Sequence, residues 1–167
     1  MIVQRFVIAL AAALALGACN QDGDTTGGTN ASESAPAGTI ALTIASANGK
    51  HAFTVEVAKT SAEQARGLMY RTDIPKDGGM IFAPYPPDGG PPRVASFWMK
   101  NTPSPLDIVF IRPDGTIARI AENAVPFDET PIPSGEPVGA VLELNGGRTQ
   151  ELGIAEGDKV TWAGHGQ

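Results

Sequence analysis

The sequence predicts a mainly β fold: a single compact antiparallel β-sandwich or distorted barrel of about 7–9 short strands with one or two short helices. Three observations carry this expectation. Short apolar runs, several with period-two alternation, recur through residues 39–167. Pro- and Gly-rich turns punctuate them. No helical crossover of the roughly 10–15 residues that a βαβ unit needs is visible.

The elements follow in order. Ile40, Leu42 and Ile44 alternate with smaller residues. Asn48-Gly49 then reads as a hairpin turn, since both residues tolerate positive φ. Phe53, Val55 and Val57 form the return strand. Ser61 and Gln64 read as a capping box for a short helix, with Ala62, Ala65, Leu68 and Met69 on one face. Gly79 to Ala83 is a short buried strand. Pro84 to Arg93 is a Pro/Gly loop unsuited to a sheet interior. Val94 to Met99 and Leu106 to Ile111 are strands. Arg112-Pro113-Asp114-Gly115 is a tight turn with Pro pre-set for its first central position. Thr116 to Ala121, Ala140 to Leu144 and Lys159 to Trp162 complete the set.

The N-terminus carries an address. Arg5 precedes an apolar run from Phe6 to Leu16. That run is shorter than the roughly 20 residues needed to span a bilayer core of about 30 Å. Its length and flanks fit a secretory signal. It ends in Leu16-Gly17-Ala18-Cys19, which resembles the lipobox of bacterial lipoproteins. The resemblance implies residues 1–18 as a lipoprotein signal peptide, cleavage before Cys19, and lipid on its sulfur. Several acyl chains at about 0.8 kcal/mol per buried CH₂ make a stable anchor. Residues 19–38 are then the lipidated Cys and a disordered tether, because the stretch from Asn20 lacks large apolar side chains. Its reach is on the order of 25 Å. Residues 39–167 are the β-rich domain. The expected place is the periplasm-facing cell envelope, with the outer membrane favoured because Asn20 is not the Asp that resembles an inner-membrane retention signal.

Composition excludes several function classes. Cys19 is the sole cysteine, so no disulfide framework, thiol nucleophile or Cys-based metal site is available. The chain carries 12 Lys+Arg against 18 Asp+Glu, a net charge of −6, without a basic cluster. That argues against nucleic acid and against electrostatic binding to anionic lipid. Its two histidines, His51 and His165, do not supply a multi-His site. G-x-S-x-G, H-E-x-x-H, P-loop and Cys-x-x-Cys patterns are absent. No cofactor is expected.

Three candidate sites remain. Trp98, Lys100, Asn101 and Thr102 end a strand before Pro103, where rim residues commonly bind ligands. Arg71 can add a bidentate anion clamp. The structural alternative packs Trp98 in the core and uses Asn101 and Thr102 to bond the turn. Asp107 and Glu143 each interrupt an apolar strand and can form an acid/base pair of the glycosidase kind; the alternative sends each to solvent or to Arg71 or Lys100. Met69, Met80 and Met99 offer soft thioethers suited to Cu(I), or else fill core gaps.

Seven motifs occur in order: Gly67-Leu68-Met69-Tyr70-Arg71, Gly79-Met80-Ile81-Phe82, Phe97-Trp98-Met99-Lys100-Asn101-Thr102, Pro105-Leu106-Asp107-Ile108, Asp114-Gly115, Val141-Leu142-Glu143-Leu144-Asn145 and Gly153-Ile154-x-x-Gly157-Asp158. Together they resemble the uncharacterised family called domain of unknown function 192, over about Leu42 to Val160. The resemblance implies a compact β-rich fold, often exported or lipid-anchored, and no activity. The loop Pro84 to Arg93 is longer and richer in proline than the family pattern. The leading expectation is a non-catalytic envelope binding module whose rim takes a small polar ligand, a glycan or an envelope protein. A carboxylate-pair hydrolase and a Cu(I) binder are the alternatives.

Overall fold

The computed structural model describes residues 38–165, which lie within one compact unit, Ser34–Gln167. The expected signal peptide, Cys19 and the expected tether up to residue 37 fall outside the described residues. The order is β1 (Thr39–Ser46), β2 (Gly49–Ala58), α1 (Ser61–Arg66), β3 (Gly78–Phe82), β4 (Arg93–Phe97), β5 (Leu106–Ile111), β6 (Ile117–Ala124), β7 (Ile132–Val138), β8 (Ala140–Asn145), α2 (Arg148–Leu152) and β9 (Lys159–Trp162). Seven strands form one sheet in the order β6-β5-β8-β3-β2-β1-β9, and β4 and β7 form a second. The large sheet curls into a half-barrel whose edge strands meet at one end. There the Ile117 N–H donates to the Asp158 carbonyl (2.9 Å) and the Val160 N–H to the Gly115 carbonyl (2.8 Å).

The mainly β expectation holds, with local corrections. The β1–β2 hairpin turns at Ala47-Asn48, one residue before the expected pair, because Ser46 and Gly49 already face each other in the ladder. β2 and β3 are parallel while every other strand pair is antiparallel. The β2–β3 crossover, residues 59–77, holds a helix of only six residues, α1, too short to show as a helical crossover in the sequence. The capping box belongs to Thr60 and Glu63, not Ser61 and Gln64. The Glu63 N–H donates to Thr60 Oγ1 (3.2 Å), and the Thr60 N–H donates to Glu63 Oε2 (2.8 Å). α1 buries none of its own residues; Leu68, expected on its face, lies beyond it and is buried. β7 and α2 were not expected. Pro133, Gly135 and Pro137 hide β7 in the sequence, but a two-stranded sheet leaves it an edge, where Pro is tolerated.

Every residue of β5 is buried, as are five of the six in β8. The reason is that both faces of the half-barrel are covered, so these strands read as continuous apolar runs. Side chains alternate between two cores. Val109, Ile111, Leu142 and Leu144 fill the concave side with Leu42, Ile44, Phe53, Val55 and Val160. Ile108, Phe110 and Val141 pack on the other side with Met80, Phe82, Ala95 and Met99. At Gly79 a Cβ would stand 2.1 Å from the Glu143 carbonyl oxygen, so the close approach of β3 to β8 requires glycine there.

Candidate functional site

The alternation that builds two cores also separates the expected acid/base pair. In the β5–β8 ladder Asp107 faces Leu144, whereas Glu143 faces Ile108. Asp107 therefore points to the concave side and Glu143 to the opposite one. Asp107 is fully buried and its carboxylate is saturated. Oδ1 accepts from the backbone N–H of Asn123 (2.9 Å) and Gly147 (2.8 Å). Oδ2 accepts from the Thr149 N–H (2.8 Å) and Thr149 Oγ1 (2.7 Å). It ties β5 to β6 and to the turn before α2. The dyad thus fails on geometry: its members lie on opposite faces, and one has no free lone pair for proton transfer.

Glu143 has the contrary environment. It keeps only 5% of its surface, and its Oε2 has no hydrogen-bond partner among the described residues. Burial pushes its carboxyl up to about 8, while the backbone N–H of Leu68 pulls the other way. Desolvation penalises only the charged form, so at neutral pH the residue is a neutral acid able to donate one hydrogen bond.

Glu143 lines a cavity of about 310 Å³ between α1 and its exit, β4 and β8. Phe82, Tyr85, Phe97 and Trp98 supply aromatic walls. Phe97 organises them, standing edge-on to Phe82 at 5.0 Å and to Phe110 at 6.0 Å, with Tyr85 at 6.1 Å. Gln64 is a second wall residue. Its Nε2 donates to the carbonyls of Ala58 (3.0 Å) and Pro84 (2.8 Å), which fixes the amide orientation. Its Oε1 is left buried and without a partner among the described residues. Gly67 closes the set, at φ 47° and ψ −137°, a region open only to glycine. A Cβ there would lie 3.1 Å from Phe82 Cζ and 3.6 Å from Glu143 Oε2.

The five rim residues divide. Trp98, 46% exposed, borders the cavity, with Lys100 Nζ 5.0 Å above its ring. Lys100 also stands 4.0 Å from Glu129. Asn101 and Thr102 serve the turn. Asn101 has φ 53° and its carbonyl accepts from the Tyr70 N–H (2.8 Å). Thr102 is buried and its hydroxyl donates to the Lys100 carbonyl (3.0 Å), although the residue also touches the cavity. Arg71 is not brought to Trp98. It pairs with Glu56 (2.8 Å) and belongs to a neighbouring depression. Met80 and Met99 are buried in one core cluster, outside which Met69 stands at the cavity edge.

Sequence reasoning missed Gln64, Tyr85 and Phe97 as wall residues and gave Glu143 a partner it does not have. A signal was nevertheless present. Four of the ordered motifs, those around Gly67, Phe82, Trp98 and Glu143, meet at this cavity although they lie far apart in the chain.

The comparisons agree with this common architecture. No curated protein matches the chain. A crystal structure of a protein of unknown function from Novosphingobium aromaticivorans is 50% identical, with a TM-score of 0.70, covering 74% of this chain and 85% of that one. A second, from Sinorhizobium meliloti and provisionally described as a transcription regulator, is 44% identical, also with a TM-score of 0.70, covering 75% and 95%. The family profile of domain of unknown function 192, described as an uncharacterised ACR, matches residues 43–162. This chain belongs to the domain of unknown function 192 family.

Proposed function

We propose that this chain is an exported lipoprotein whose β domain binds a small, uncharged, partly polar ligand in the cavity above Glu143, without catalysing its conversion. The single observation that carries the binding reading is the pair of buried polar atoms in the cavity wall, Gln64 Oε1 and Glu143 Oε2, that lack partners among the described residues. An unmet buried polar atom destabilises a fold by roughly 1–3 kcal/mol. Two of them in one aromatic-walled cavity are explained if a ligand satisfies both. The volume falls at the small end of the range for ligand sites, about 300–1,000 Å³.

Both oxygens are shielded from bulk water, so a ligand reaches them as the exposed Ala65–Arg66 end of α1 moves while the Gln64 amide and the buried Leu68 stay anchored. α1 buries none of its residues, and weakly packed elements open first. Glu56 shares this sheet face but is paired with Arg71 outside the cavity, so Glu143 is the one carboxylate lining the cavity among the described residues, which favours binding over hydrolysis. A nucleic-acid role, to which the description of the Sinorhizobium relative points, gains no support from a net charge of −6. The lipoprotein half rests on Leu16-Gly17-Ala18-Cys19.

The test has two parts. A fragment set of small uncharged amides and polyols, screened by protein-observed NMR, should perturb residues 64–69, 97–98 and 143, and Gly67→Ala should abolish those perturbations. Fragments that bind elsewhere, or equally well to the variant, would refute the cavity reading. For the anchor, wild-type chain should sediment with membranes and Cys19→Ala should become soluble; a variant that stays with the membranes would refute it.

A further inference from the structure

We propose that the ligand is an N-acetylated amino sugar, its acetamido group held between Gln64 and Glu143 and its ring laid against the aromatic wall. The inference rests on the cavity reading above and specifies its ligand.

The donor set selects the chemistry. Gln64 Oε1 can only accept, because its Nε2 is already committed to the Ala58 and Pro84 carbonyls. Glu143, as a neutral acid, has a hydrogen to donate. The deep end of the cavity therefore wants one N–H and one carbonyl oxygen, and no net charge. A secondary amide offers that pair. A carboxylate would meet the Gln64 oxygen without a donor to give it, and an ammonium has no carbonyl to accept from Glu143. The surrounding walls are apolar, which suits the acetamido methyl.

The mouth selects the rest of the molecule. Trp98 offers a half-exposed ring with Lys100 over one side, and Tyr85 and Phe97 line the same cavity. The C–H face of a pyranose covers such a surface while its hydroxyls point outward. Ser96 and Arg66, both exposed, stand at that edge. The Arg66 side chain has no hydrogen bond or ion pair to another described residue, so its guanidinium donors are free for sugar hydroxyls. A peptide amide would fill the deep end equally well but has no C–H ring face to lay against Trp98.

The experiment is a titration of the full domain with N-acetylglucosamine, glucosamine and N-acetylalanine methylamide, followed by NMR. N-acetylglucosamine should perturb residues 64–69, 97–98 and 143, and binding should weaken on the order of tenfold with glucosamine and in Gln64→Ala. Its affinity should also fall as pH rises past about 8, where Glu143 ionises. Glu143→Gln, which keeps a donor and the side-chain shape, should bind with no such pH dependence. Equal binding of glucosamine, or binding of the peptide amide alone, would overturn the sugar assignment and leave the cavity reading standing. If no probe perturbs the cavity residues, and the uncharged fragments above also fail, both fall.

Discussion

Replacing Glu143 by glutamine keeps the side-chain shape and removes its titration. The wild-type carboxyl is held near 8 in the folded chain against 4.5 when free. Below about 4.5 both states carry the proton, and its stabilising effect is fully present. As pH rises the unfolded chain releases its proton first, so stability falls, and the loss is complete once pH exceeds the folded value. At about 1.4 kcal/mol per pH unit between those two values, the full loss is about 5 kcal/mol, of which about 3 is already present at pH 7. Typical domain stabilities are only about 5–15 kcal/mol, so the effect is large. Thermal unfolding of wild type and Glu143→Gln in matched buffers from about pH 5 to about pH 9 measures it. The stability gap should widen in favour of the variant by roughly 4 kcal/mol across that range, which is a change in Tm on the order of 10 °C. A gap that stays flat with pH would refute the reasoning. It would mean that Glu143 is solvated or paired in the folded chain.

Other perturbations test neighbouring claims. Asp107→Asn puts an amide group where both carboxylate oxygens now accept from four donors; denaturant unfolding should show a loss of about 3 kcal/mol. Gly67→Ala forces a Cβ into a glycine-only backbone region and against Phe82, and should destabilise by about 2 kcal/mol in the same assay. Asn101 sits at φ 53°, so Asn101→Gly should be nearly neutral while Asn101→Val lowers stability by about 1–2 kcal/mol. The Arg71–Glu56 pair is more than a third exposed on both sides, so Arg71→Gln should change Tm little, by less than about 1 kcal/mol in stability.

The fold class was legible in the chain because strand character is a local, period-two property. β1 and β2 showed that alternation, and β3, β5, β8 and β9 were readable within a residue or two as short, mainly apolar runs between turn residues. The apolar runs at Leu106–Ile111 and Ala140–Leu144, each interrupted by one carboxylate, belong to strands that the fold covers on both faces. β7 was not legible, since its prolines are acceptable only at an edge, and a sequence does not say which strand is the edge. The capping box was misplaced by one residue because Thr60/Glu63 and Ser61/Gln64 both fit the pattern; only the β2–α1 junction decides which threonine or serine is extended.

What the sequence by itself determined is which residue types are available: one cysteine at the end of an export-like segment, an acidic charge balance, two histidines, and lone carboxylates within apolar strands. What only the tertiary structure decided is where those groups point. Asp107 and Glu143 look alike in sequence, a single acid in an apolar run. The ladder register places them on opposite faces. One then meets a ring of backbone donors and becomes a structural tie. The other meets phenylalanine rings and the turn at Gly67, and keeps its proton. Charge and chemistry in a protein interior are set by the neighbours a side chain meets, and for these two residues those neighbours come from strands and turns distant in the chain.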